Sequence, residues 1–453
     1  MSRVVSAGAR TEADLGPGRR RRPARPGPAG RLARPLRLRK SLTVNAMSLM
    51  TATIATNALG LVFWAVAAHL EPPAAVGRAS AAIAALTLLS MIAQLNLTNV
   101  FVRLVPAAGR LGTMLIRRGY LVVIALSIVA GVVYTATGLS AHVLAGGWAA
   151  RALFIAAVPA LAVFALEDSV LTALRLAPWV AAENVSAAVA RLALLPLLAV
   201  PALASGTVAA WVLPAAAAAV VVNSLLFGRA LPGLAGTDGT LPGRRQLASF
   251  IAGEYVGSIC LTASVQLIPL LVVWRLGAAQ AAYLTMPWLI AGGVSLVMWN
   301  VAASFVVEAA GGRGHPGALL RRSLLLWAAV AAGAVVVCVL GARPLLEIVG
   351  ARYASHGVGL LRLIGLSAPF SVLVVLFCAL AWLDQRIWLL AGFQAAAGAT
   401  LLAATAVLLP RAGLTAVGWA YLAVQALSAL AAGPFILRWM RRYTRRAELA
   451  GAR

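Results

Sequence analysis

The feature that most limits how this chain can fold is a run of about 20 apolar residues that recurs along almost its whole length. Coiled as an α-helix, such a run matches the hydrocarbon thickness of a bilayer. Twelve spans are expected, at 43–69, 79–103, 114–138, 150–174, 180–202, 204–228, 247–274, 281–307, 319–341, 358–383, 387–409 and 413–437. Barrel strands are excluded, because they alternate in polarity and need only about 10 residues. Charged residues make up 11% of the 453 and apolar ones 62%, against about 25% charged in a soluble domain. The expected fold class is therefore an all-α polytopic membrane protein. Pro196 and Pro214 fall inside the fifth and sixth runs and are expected to kink both helices.

After residue 41 the only long polar interruption is Arg229–Gln246, with two prolines, four glycines, Asp238, Arg244 and Arg245. It divides the chain into a half at 41–228 and a half at 247–440, and reads as a linker at 229–246. Residues 1–40 hold twelve Lys and Arg but only Glu12 and Asp14 as acids. Such a segment buries too little apolar surface to offset its ordering entropy, and is expected to be a disordered basic tail lying on anionic lipid. A second basic tail covers 441–453. The net charge of +26 would suit nucleic acid in a soluble chain. In a membrane protein it reports topology, and no nucleic-acid partner is expected.

With the N-terminus inside, the predicted inner segments hold the tail, Arg103 with Arg110, Arg117 and Arg118, then Arg175, then Arg229 with Arg244 and Arg245. Arg313, Arg321 and Arg322, then Arg386, then the C-terminal cluster complete the inner set. The outer segments hold Arg78, Arg151, Arg275, Arg343, Arg352 and Arg411, mostly one apiece. This alternation is what the positive-inside rule asks of an N-in, C-in chain with twelve spans. Asn96, Phe101 and Arg117-Arg118 recur as Asn300, Phe305 and Arg321-Arg322, 204 residues later. Two parallel six-helix lobes follow, related by an axis along the membrane normal, as in alternating-access transporters. No nucleotide-binding loop, HExxH motif or soluble domain is found. Cys260, Cys338 and Cys378 sit in apolar runs and read as core residues. No catalytic residue, metal or cofactor is expected, and the protein is read as a non-enzyme.

Four stretches go further. They are Asn57-Ala-Leu-Gly60 through Leu70-Glu-Pro-Pro-Ala-Ala-Val-Gly77, and Leu166-Glu-Asp-Ser-Val-Leu-Thr-Ala-Leu-Arg175 with Pro178-Trp179 and Glu183-Asn184. The others are Gly350-Ala-Arg-Tyr353 with Leu360-Leu-Arg-Leu-Ile-Gly-Leu366, and Gly413-Leu-Thr-Ala-Val-Gly-Trp-Ala420. Together they resemble the multidrug/oligosaccharidyl-lipid/polysaccharide (MOP) exporter superfamily, in its bacterial polysaccharide (Wzx-like) flippase branch. The resemblance implies two six-helix lobes in a V and a bacterial cytoplasmic-membrane flippase. Its cargo would be an undecaprenyl-diphosphate-linked saccharide, and glycan polymerases or glycosyltransferases its partners. The basic residue common near the end of the family's first helix is absent, since Ala67-Ala68-His69 stand there. Two alternatives are a cation-coupled multidrug antiporter of the same superfamily and a non-transporting scaffold of a glycan-synthesis complex.

Ionisable groups inside a membrane are costly and face a cavity or a partner. Arg191, deep in the fifth span, is a candidate for diphosphate or anionic sugar, its structural alternative being a pair with Asp168 or Glu183. Glu254, midway through the seventh span, is a candidate cation site or sugar acceptor. Asn57, Gln94, Asn96, Asn99, Gln266 and Asn300 are amides suited to sugar hydroxyls or to interhelical bonding. Glu167, Asp168 and Glu183 read as a structural clamp neutralised by Arg175. Trp148, Trp179, Trp211 and Trp274 near span ends suit the aromatic belt.

The topology has a direct check. A cysteine introduced as Thr237→Cys should react with an impermeant maleimide only after the inner face is opened, and Ser355→Cys in intact cells.

Overall fold

In a hydrocarbon solvent every backbone N–H and C=O must find its partner within the chain, and an α-helix does this within a single segment. The computed structural model describes residues 51–144, 147–199, 206–231, 244–311 and 316–451, and all of them belong to helices or the short turns between them. The tail at 1–40 and the linker from 232 to 243 lie outside the described residues.

The helices are α1 (Thr51–Leu70), α2 (Pro73–Gln94), α3 (Leu97–Ala108), α4 (Arg110–Ala136), α5 (Gly138–Val143), α6 (Gly147–Ala173), α7 (Ala177–Leu198) and α8 (Gly206–Leu225). They continue as α9 (Arg244–Leu276), α10 (Ala278–Ala310), α11 (Pro316–Val335), α12 (Ala342–Val349), α13 (Ala351–Leu383), α14 (Ile387–Ala412) and α15 (Thr415–Gly451). Eleven helices among the described residues are long and apolar enough to cross a membrane, and α9 occupies the remaining expected span, the seventh. The fifth and sixth spans are separate helices, with Pro196 and Pro214 inside them. The C-terminal basic segment continues α15 to Gly451.

Two boundaries differ from expectation. The second span was expected to run through 103, but the helix stops at Gln94 because Leu95 and Asn96 are both left-handed, and α3 starts anew at Leu97. Asparagine tolerates that conformation through local hydrogen bonding, and the Asn96 Oδ1 accepts from Asn99 Nδ2 at 2.8 Å. The tenth helix, expected from 358, already starts at Ala351, after Gly350 at φ 148°.

Packing falls into two sets. In the first, α4 lies on α6, α7 on α8, and α6 touches α2, α3 and α8. In the second, α13 lies on α15, α9 on α14, and α10 on α11 and α13. The sets meet mainly through α2, which packs against α10 and α9, with α5 also touching α9. At this seam a Cβ on Gly77 would stand 1.7 Å from the Ala278 carbonyl oxygen. The buried Ser80 and Thr285 hydroxyls share a hydrogen bond of 2.9 Å across the same seam, and Tyr255 donates to the Ile92 carbonyl at 2.6 Å.

One turn is built twice. At the end of α6 the Leu176 N–H reaches back to the Leu171 carbonyl at 2.8 Å and Arg175 is left-handed at φ 63°. At the end of α13 the Arg386 N–H reaches the Ala381 carbonyl at 2.9 Å and Gln385 is left-handed at φ 54°. Both are Schellman turns with a side-chain-bearing residue where glycine is usual. The two left-handed residues are 210 positions apart, not 204. The 204-residue pair is not built alike, since Asn96 stands in a helix break and Asn300 inside the unbroken α10.

Gly77→Ala forces the α2 and α10 backbones apart, and overpacking of this kind costs about 1–3 kcal/mol. Thermal unfolding in detergent should show a lowered midpoint for Gly77→Ala. Gly60→Ala, where no atom lies within 4 Å of the new carbon, should leave it unchanged.

Candidate functional site

Polar side chains gather at several places among the described helices. In the second packing set, α9, α10, α13, α14 and α15 enclose a chamber of about 360 Å³. Its polar lining is neutral: Ser295, Ser371, Gln394, Gln425 and Ser428 supply hydroxyls and amides, and Trp299, Phe393 and Tyr421 supply rings. Helical spacing accounts for part of the set, because Tyr421 and Gln425 stand one turn apart on α15, and the Gln425 Nε2 donates to the Tyr421 hydroxyl at 3.2 Å. Trp299 is held at its rim against Trp382, ring centroids 5.6 Å apart.

Arg191 lies on α7. Its Nε donates to the Trp211 carbonyl at 3.1 Å, and its guanidinium lies 4.5 Å from the Trp211 ring centroid and 5.9 Å from that of Phe164. The expected alternative, a pair with Asp168 or Glu183, is not formed. Trp211, expected in the aromatic belt, instead packs against Phe63 and Trp64 at 5.1 and 6.2 Å. Trp148, Trp179 and Trp274 are exposed near helix ends.

Glu167, Asp168 and Glu183 do come together, but not with Arg175. That side chain is exposed and forms no ion pair with any of them. Its backbone is committed to the left-handed turn position, which leaves the carboxyls to neighbouring amides. Asn184 Nδ2 donates to both Asp168 oxygens at 3.0 Å, and Asn223 Nδ2, from α8, donates to Glu167. Glu167 is fully buried and Glu183 is 6% exposed.

The remaining sequence candidates are dispersed. Asn57 is exposed on α1, its amide turned back to the Thr53 carbonyl at 2.8 Å. Gln94 and Asn96 are buried at the α2–α3 break. Gln266 and Asn300 are half-buried on α9 and α10, outside the chamber lining. The side chain of Glu254 lies outside the described residues. Sequence reasoning missed Trp299, Gln394 and Gln425. The available signal was a pair of amides inside the eleventh and twelfth apolar runs, one of them a turn from Tyr421.

Two larger cavities lie elsewhere among the described helices. One of about 640 Å³ is apolar, walled by α2, α4, α5, α9 and α14, with Leu88, Leu270 and Leu402 in its lining. The other, also about 640 Å³, is lined by Arg110, Arg117 and Arg118 beside Phe227.

No sequence-family model and no curated protein matches this chain. Solved structures do match its fold. An inward-facing multidrug resistance MATE family transporter of the MOP superfamily aligns over 88% of this chain and 99% of its own, with a TM-score of 0.64 at 12% identity. An outward-facing structure of a multidrug resistance MATE family transporter aligns over 89% and 96%, with a TM-score of 0.55 at 16% identity. The MATE multidrug transporter DinF-BH, solved as a ligand complex, aligns over 88% and 94%, with a TM-score of 0.60 at 16% identity. The chain thus has the fold of MATE transporters of the MOP superfamily and is a multi-pass membrane protein.

Arg191→Leu removes a backbone hydrogen bond and a desolvated cation–π contact, the latter worth about 2 kcal/mol. Its detergent melting midpoint should fall, and Arg191→Lys should recover less than half of the loss, since an ammonium lacks the planar stacking surface.

Proposed function

We propose that this chain is an alternating-access exporter that moves a polyprenyl-diphosphate-linked oligosaccharide across a bacterial cytoplasmic membrane. It works as two six-helix lobes with both termini inside. The observation that carries the cargo assignment is the chamber whose polar lining is all hydroxyls, amides and aromatic rings. Sugar hydroxyls both donate and accept, which serine and glutamine match, while rings offer a flat apolar face to the pyranose C–H surface. The Arg110, Arg117 and Arg118 pocket suits a diphosphate, which guanidinium groups hold bidentately. The apolar cavity beside Leu88, Leu270 and Leu402 suits a stretch of prenyl chain. The transporter fold itself supports the alternating-access part of the reading.

A second reading, cation-coupled multidrug antiport, is favoured by the fold neighbours, which are multidrug transporters. The two readings separate in one experiment. In a strain lacking the chromosomal copy, the wild-type chain should restore surface polysaccharide and clear lipid-linked precursor from the inner leaflet. Losing one stacked ring is worth about 1.4 kcal/mol, so Trp299→Ala should lower that flux about tenfold. Gln425→Leu should act in the same direction. If polysaccharide is unchanged by deletion while resistance to cationic dyes falls, the chain is a drug exporter.

A further inference from the structure

The buried acids of the first packing set have no counterpart in the second, although the turn that positions them does. Counting eight residues back and eight forward from left-handed Arg175 reaches Glu167 and Glu183. Counting eight back and eight forward from left-handed Gln385 reaches Phe377 and Phe393, whose ring centroids are 4.4 Å apart. The neighbouring positions agree as well. Asp168 is bonded by Asn184, and at the matching places Cys378 is in hydrogen-bond contact with Gln394. The third member is matched in kind, for Asn223 from α8 meets Glu167, and Phe435 from α15 meets Phe377 at 5.0 Å. The same three-helix junction is thus closed by three phenylalanines in one half and by two carboxyls and an amide in the other. Packing alone does not require the acids.

The acids also lack what a structural cluster supplies, a full set of donors. The Glu167 and Glu183 carboxyls lie within hydrogen-bond reach of one another. Two carboxylates are acceptors only, and Glu167 Oε1 and both Glu183 oxygens have no donor. A separate polar group lies nearby on α4, packed in one core cluster with Leu166 and Val170 of α6. Tyr120 is 6% exposed, its hydroxyl has no hydrogen-bond partner, and it lies within electrostatic range of all three acids.

Among the described residues the charged and titratable groups around the pair are few. From α4 there is Tyr120, from α6 Asp168 alongside Glu167, and from α7 Glu183 itself. Helix α8 contributes neutral Asn223, and α3 contributes Leu97, Phe101 and Val105, with Arg103 on its exposed side. Where α2 meets α6 the contact is Ser90 on the Val158 carbonyl. Arg117, Arg118, Arg175 and Arg229 are exposed, and Arg191 is engaged with Trp211. Among the described residues no three His, Cys, Asp or Glu side chains are grouped as a metal site requires.

We propose that Glu167 and Glu183 form a proton-binding site, which holds one proton between the two carboxyls and gives it up to the end of the bundle that carries Arg110, Arg117 and Arg118. A bound proton turns an acceptor–acceptor contact into an O–H···O hydrogen bond. It also removes the repulsion of two charges held together away from water. The pair stands about 9 Å, six residues of α6, from that end of the helix. An opening of that end lets water reach it, and release leaves two carboxylates with Asn223, already bonded to Glu167, as the donor in contact. Its service in driving export rests on the transporter reading; the binding of the proton does not.

Infrared spectroscopy of the full-length protein in liposomes, in H₂O and D₂O, reads the site directly. The wild type should show a protonated-carboxyl stretch that shifts in D₂O. The band should disappear in Glu167→Gln and in Glu183→Gln, and persist in Asp384→Asn, a surface acid control. Glu167→Phe combined with Glu183→Phe copies the second half and should fold without the band. A band unchanged in the Gln variants, or absent from the folded wild type, overturns the proposal. So does a wild-type band abolished by sodium but not by potassium, which would make this a sodium site. A chain that shows the band yet restores no polysaccharide retains the proton site and refutes the cargo reading.

Discussion

The structure depends on how closely α2 can approach α10. In lipid the hydrophobic effect does not drive one apolar helix onto another, so helix association relies on dispersion contacts and buried hydrogen bonds at short range. At Gly77 a missing side chain brings the two backbones together, and one turn along, Ser80 and Thr285 exchange a hydrogen bond inside the seam. Because α2 carries the contacts of the first helical set to both α9 and α10, this seam joins the two sets. A cavity walled by α2, α9 and α14 lies alongside it.

The duplicated Schellman turn shows how one backbone solution serves two chemistries. After α6 and after α13 the chain reverses through the same hydrogen bonds, with Arg175 and Gln385 accepting left-handed geometry at a cost of about 1–2 kcal/mol. Each turn sets two helices side by side so that residues eight before and eight after the reversal face each other. One half fills that junction with Phe377, Phe393 and Phe435, and the other with Glu167, Glu183 and Asn223. Next to the phenylalanines, Gln394 and Cys378 turn toward the neutral chamber. The two junctions hold different side chains, while the turn that builds them is the same.

Several site residues were legible and several were not, for one physical reason. Glu167, Asp168 and Glu183 stood out because a carboxyl inside an apolar run is conspicuous. Their partners did not, since Asn223 is 56 residues from Glu167 in the chain. Arg175 looked like the counterion by proximity in sequence, yet its place in the turn sends its side chain outward. Asn96 and Asn300 looked equivalent at a shared spacing, but one caps a helix break and the other lies within α10. Trp299, Gln394 and Gln425 line one chamber although three different helices supply them.

By itself the amino-acid sequence determined that this is a helical membrane protein and, to within one, how many of its runs are long enough to cross. Those properties follow from local composition and from the bilayer's thickness, which act on each segment separately. Only the tertiary structure decided which helices touch, that one turn recurs 210 residues apart, that Arg191 stacks on Trp211, and that Glu167 and Glu183 come together with no ion pair among the described residues. These depend on the approach of segments tens to hundreds of residues apart, and apolar periodicity carries almost no information about them when every face of every helix is apolar.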